Sequence, residues 1–78
     1  MRARIRGKCI TDIRVGKAVR ALRNTEDVTR KELAAFVGVS SQQIEKYETA
    51  KNRISASVLY EIAKYFDVPV GYFFSTCK

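Results

Sequence analysis

Residues 28–47 read Val-Thr-Arg-Lys-Glu-Leu-Ala-Ala-Phe-Val-Gly-Val-Ser-Ser-Gln-Gln-Ile-Glu-Lys-Tyr, and this stretch decides the fold. Thr29 stands three residues before Glu32, with Val28 ahead of it and Leu33 just after the glutamate. Ser40 stands three residues before Gln43, with Val39 ahead and Ile44 after. Each set has the form of a capping box inside a hydrophobic staple. The hydroxyl accepts from an orphan backbone N–H, the Glu or Gln side chain accepts from the cap's own N–H, and the apolar pair sets the angle of the incoming chain. Two such starts in tandem predict two short helices. Between them Gly38 suits the left-handed residue that commonly ends a helix. Only Gly38 and Val39 separate the first helix from the second cap, so the two must cross steeply, as in a helix-turn-helix. Ala34 and Ala35 keep side-chain bulk low where they approach.

On a wheel of about 100° per residue, with Ile44 as the buried reference, Tyr47 and Glu48 fall on the Ile44 side of the second helix. Gln42, Lys46 and Thr49 point the opposite way, and Ser41, Gln43 and Glu45 lie on the flanks. The outward face therefore has no large apolar residue. A solvated surface would look similar, but glutamine can bond adenine N6 and N7 together, and lysine can reach guanine or phosphate. The face has the chemistry of a base-reading helix.

These residues resemble the phage repressor and Cro helix-turn-helix proteins, often called XRE-like, over about residues 12–74. The resemblance is carried by Val15-Gly16, Arg20 and Arg23, then by Leu33-Ala34 and Gly38-Val39-Ser40. Ile44, Tyr47-Glu48, Ser55, Ile62-Ala63 and the run Val68-Pro69-Val70-Gly71-Tyr72-Phe73-Phe74 complete it. It implies an all-α fold: a compact five-helix, lambda-repressor-like DNA-binding domain with the helix-turn-helix at helices two and three. It also implies a homodimer on a double-stranded DNA operator that is an inverted repeat, and regulation of transcription, as a repressor. From the outward and flanking positions of the second helix, Ser41, Gln42, Gln43, Glu45 and Lys46 are the base-reading candidates. Arg30, Ser40, Lys51, Asn52 and Arg53 are the phosphate-contacting candidates, and Arg23 with Glu48 forms a structural ion pair.

The chain departs from that family pattern twice. Arg30 stands where the family commonly has a glutamine that buttresses a base-reading side chain, so base preference does not transfer from relatives. Alanine at position 50 stands where the family favours glycine after the recognition helix. Either Ala50 takes a left-handed conformation at a cost of about 1 kcal/mol or more, or the helix runs on and Asn52 makes the turn.

The net charge is +7. Residues 1–31 hold ten Lys/Arg against three Asp/Glu, whereas residues 32–78 hold five of each. The excess lies in the arm Arg2, Arg4, Arg6, Lys8 and in Arg14, Lys17, Arg20 and Arg23 of the first helix. Two readings fit the arm, residues 1–10: a phosphate or minor-groove contact, or a solubilising tail. Residues 11–74 make the domain and 75–78 a C-terminal tail. Seventy-eight residues can build one core, burying about 60–65% of the unfolded surface, with no room for a sensor domain. No apolar run approaches the ~18 residues of a membrane span, and no signal peptide is visible, so a cytoplasmic location is expected.

The remaining helices are placed by the same signals. The first begins at Thr11 or Asp12 and ends near Asn24. A fourth opens at Ile54-Ser55, with Val58, Leu59, Ile62, Ala63 and Phe66 facing the core and Glu61 and Lys64 outside. Pro69 suits the first turn of a short fifth helix. Of the aromatics Tyr72, Phe73 and Phe74, one or two are expected to remain exposed and to meet a symmetry mate. Cys9 and Cys77 are far apart, there is no histidine, and neither metal nor cofactor is expected. Reduced thiols or, outside a reducing cell, a disulfide are the two readings. Without clustered carboxylates, a phosphate-cradling loop or a nucleophile–base pair, no enzyme is expected. The competing function is a protein-interaction module, such as an antitoxin, whose exposed face around Tyr60, Tyr72 and Phe74 captures a protein partner.

Overall fold

The computed structural model describes residues 10–75. The arm residues Arg2, Arg4, Arg6 and Lys8, both cysteines and the tail beyond residue 75 lie outside that range. Four α-helices follow in order: α1 (Ile10–Thr25), α2 (Arg30–Val37), α3 (Ser41–Glu48) and α4 (Ala56–Phe66). A 3-10 turn, Val70–Phe73, closes the described chain. The expected fifth α-helix is thus corrected: the described residues hold four α-helices and a 3-10 turn. Pro69 sits at its cap in an extended conformation, outside the first turn. The N–H groups of Tyr72 and Phe74 reach back three residues, to Pro69 and Gly71, and the segment is too short to establish an α-helical ladder.

The caps account for where the helices begin. The Thr29 hydroxyl accepts from the Glu32 N–H at 3.0 Å, and the Glu32 carboxylate accepts from the Thr29 N–H at 2.9 Å. That box is complete. At α3 only half of the expected box forms: Ser40 Oγ accepts from the Gln43 N–H at 3.0 Å, while the Gln43 amide turns to Asn52 instead. Ser55 caps α4 through the Val58 N–H. Gly38 ends α2 at φ 88°, in the left-handed region, with its N–H on the Ala34 carbonyl. α1 starts at Ile10, slightly before the expected Thr11 or Asp12.

One core holds these elements. Val15, Ala18, Val19 and Leu22 of α1 meet Leu33 and Ala34 of α2, Ile44 and Tyr47 of α3, Leu59, Ile62 and Ala63 of α4, and Phe73. Fully burying such aliphatic and aromatic side chains is worth roughly 1.5–3 kcal/mol each. Ala34 is buried in the core but Ala35 is exposed, so of the two small residues only the first packs inward. Val58 and Phe66 are half-buried at the edge, as is Glu61, and Lys64 is exposed. Of the C-terminal aromatics Phe73 fills the core, leaving Tyr72 and Phe74 exposed.

Gly16 sets the distance between α1 and α3. A Cβ there would lie 2.5 Å from the Tyr47 carbonyl oxygen and 2.9 Å from that of Glu48. Both obstacles are backbone, so any larger residue forces the helices apart. This close approach fixes α3 on α1 and presents its other face outward.

Candidate nucleic-acid interface

α3 carries the base-reading candidates on one side and its anchor on the other. Ile44 and Tyr47 are buried, whereas Gln42, Glu45, Lys46 and Thr49 are exposed. Ser41 and Gln43 are half-buried on the flanks. The wheel expectation therefore holds residue by residue. A polar ridge of amide, carboxylate and ammonium groups projects from a helix whose inner side is clamped.

The clamp is ionic as well as apolar. The Glu48 side chain has no exposed surface, and its carboxylate accepts from Arg23 Nε at 2.7 Å and Arg23 Nη2 at 3.3 Å. Arg23 Nη1 donates to the Val28 carbonyl at 2.9 Å, so the same guanidinium ties α1 to the loop before α2. The expected Arg23–Glu48 pair is present. A third member was not foreseen: Arg30 Nε donates to Glu48 Oε1 at 3.1 Å. Arg30 is thus held against the base of α3, with 37% of its side chain exposed. One carboxylate joins α1, α2 and α3.

The loop after α3 resolves the choice left by Ala50. Its φ is 62°, so alanine itself takes the left-handed conformation. The chain reverses there, and the N–H groups of Lys51 and Asn52 both return to the Lys46 carbonyl, at 2.9 and 3.2 Å. Asn52 is further held by Gln43, whose Nε2 donates to Asn52 Oδ1 at 3.1 Å. Arg53 Nε donates to Asp12 Oδ2 at 2.8 Å, pinning the loop to the first turn of α1. Lys51, Asn52 and Arg53 are all exposed beside α3, with Ser40 at its opposite end.

All ten candidates for base and phosphate contact therefore lie on α3, at its cap, at the start of α2 or in the loop 50–53. Sequence reasoning missed Asp12 as the partner of Arg53, since 41 residues separate them and no local pattern joins them. It also missed Phe36, which is half exposed on α2 with its ring 5.0 Å from that of Tyr65. Among the described residues no group of His, Cys, Asp and Glu could hold a metal ion, and no helix is long and apolar enough to cross a membrane.

α2 and α3, packed together and joined through the left-handed Gly38, with α1 against α3 and α4 against α2, define a helix-turn-helix fold. The chain belongs to the helix-turn-helix (HTH_3) family, whose model matches residues 19–73. It is 53% identical over 64 residues to an uncharacterised transcriptional regulator in the ATPase CF(0) region of Rhodospirillum rubrum, covering 82% of this chain and 59% of that one. It spans about half the length of the curated relatives it matches. In fold it is similar to the clp gene regulator ClgR from C. glutamicum, with a TM-score of 0.79, 22% identity and 87% of each chain covered. It is also similar to the restriction-modification controller protein C.AhdI from Aeromonas hydrophila, with a TM-score of 0.75 and 19% identity, covering 80% of this chain and 94% of that one.

Proposed function

We propose that this chain binds double-stranded DNA in a sequence-specific way as the reading domain of a transcriptional regulator, with α3 in the major groove. The observation that carries the reading is the division of α3. Ile44, Tyr47 and Glu48 are locked into the core and the ion cluster, leaving Gln42, Glu45 and Lys46 on a rigid outward ridge. Gln42 and Lys46 read base edges, and Ser41 and Glu45 tune the flanks. Arg30, Ser40, Lys51, Asn52 and Arg53 surround the ridge with groups suited to phosphate oxygens and set its register. The relatives named as transcriptional regulators support the same assignment.

Tyr72 and Phe74 are exposed beside a core that Phe73 has already filled, and they supply an apolar face for a second copy. A two-fold dimer through that face would set two α3 helices roughly 34 Å apart, one turn of B-DNA, on an inverted repeat. Occupancy of a promoter by such a dimer blocks access without a further surface, which makes repression the simplest outcome. In vitro selection from random duplexes at stated salt tests the proposal. The expected product is an inverted repeat whose half-sites lie one helical turn apart. Enrichment of no sequence over the starting library would overturn it.

A further inference from the structure

We infer that Gln43 is a positioning residue that aims Asn52 at the DNA backbone, and that it does not read a base. The inference rests on the DNA-binding reading above and reassigns one of the base-reading candidates of the sequence analysis. Gln43 Nε2 donates to Asn52 Oδ1 at 3.1 Å, across nine residues of chain. A phosphate oxygen only accepts hydrogen bonds, so an asparagine can serve it only through Nδ2. With Oδ1 committed to Gln43, the Asn52 amide is oriented so that Nδ2 is the atom left to donate. The backbone makes the same commitment, because the Asn52 N–H is bonded to the Lys46 carbonyl at 3.2 Å. Asn52 is therefore held at two points on α3, one turn of helix apart.

The left-handed turn at Ala50 makes this possible. At φ 62° the chain folds back along α3 and does not continue its axis, which brings Asn52 beside Gln43. The Gln43 N–H is also occupied, by the Ser40 hydroxyl at the helix cap. Gln43 is half-buried, whereas Gln42 beside it is exposed. The two adjacent glutamines thus have different work: Gln42 faces outward, and Gln43 couples the cap of α3 to the loop behind it.

The test compares wild type, Gln43→Ala, Asn52→Ala, the double variant and Asn52→Asp on two probes, the duplex enriched by selection and a scrambled duplex of equal length. Gln43→Ala is expected to weaken binding to both probes by a similar factor, about threefold to tenfold, as for loss of a hydrogen bond, and to leave the selected motif unchanged. In the Asn52→Ala background the same change should have little further effect, since its target is gone. Asn52→Asp keeps an acceptor for Gln43 but offers the phosphate an anionic oxygen, so it should weaken both probes more than Asn52→Ala does. Circular dichroism melts of each variant separate these effects from loss of folding. A changed base preference in Gln43→Ala, or a full additive loss in the double variant, would overturn the inference while leaving the DNA-binding reading intact. Wild type that prefers no duplex overturns both.

Discussion

Replacing Glu48 by Gln is the sharpest probe of how α3 is held. The carboxylate is fully buried, and both of its oxygens are occupied: Oε2 by Arg23 Nε, and Oε1 by Arg23 Nη2 and Arg30 Nε. An amide supplies only one acceptor oxygen, so its NH2 must face a guanidinium N–H, donor against donor. The positive charge of Arg23 then stays buried without a counter-ion. Removing one partner of a buried pair costs about 3–5 kcal/mol. At roughly 0.05–0.15 kcal/mol per residue, a domain of this size has a total stability of only about 4–12 kcal/mol. Urea unfolding followed by circular dichroism reads the change. With a slope of ~1.5 kcal/mol/M, the midpoint should fall by about 2–3 M. Arg30→Ala, which removes a partly exposed partner, should cost about 1 kcal/mol or less and keeps the test readable if Glu48→Gln fails to fold. Replacing Arg23 and Glu48 together by methionine should cost less than Glu48→Gln alone, since no unpaired charge stays buried. A midpoint shift below about 0.5 M for Glu48→Gln, at unchanged slope, would refute the reasoning.

Other substitutions test the turn, the helix crossing and the interface. Ala50→Gly relieves a left-handed alanine worth about 1–2 kcal/mol and loses about 0.4–1 kcal/mol through the freer unfolded chain. The net should be a gain of about 0.5–1 kcal/mol, seen as a Tm higher by roughly 3–6 °C; a lower Tm would contradict the strain at that residue. Gly16→Ala drives a Cβ into two backbone carbonyls and should lower stability by about 1–2 kcal/mol after the better helix propensity of alanine is counted. Chemical denaturation measures it, and a neutral result would show that α1 and α3 can part freely. Arg30→Ala should weaken binding to all duplexes alike and flatten its salt dependence by about one phosphate contact; a slope equal to that of wild type would remove Arg30 from the phosphate set.

Much of this arrangement is legible in the chain because it is local. Thr29 with Glu32, Ser40 with Gln43, and Gly38 between them act within one turn of each other, so both helices and the tight turn that joins them can be read directly. The inward set of Ile44, Tyr47 and Glu48 follows from helical periodicity alone. What escaped reading depends on residues brought together from afar. Arg53 meets Asp12 and Arg30 meets Glu48 only after α1, α2 and α3 have packed. The capping box at Ser40 failed as a pair for the same reason, because Asn52 arrives beside Gln43 once Ala50 turns the chain. The choice at Ala50 was open in the sequence because alanine in a left-handed turn breaks a local preference that packing overrides. Pro69 and the apolar run after it suggest a fifth helix, but seating Phe73 in the core needs only a single 3-10 turn.

Base selection by Gln42 is the most direct test of what α3 is for. Motifs selected by wild type and by Gln42→Ala, at the same salt, should differ at one base pair per half-site, with preference there relaxed by ~1–3 kcal/mol and the flanking positions unchanged. Identical motifs from the two proteins would contradict the assignment of the outward face of α3 as the reading surface.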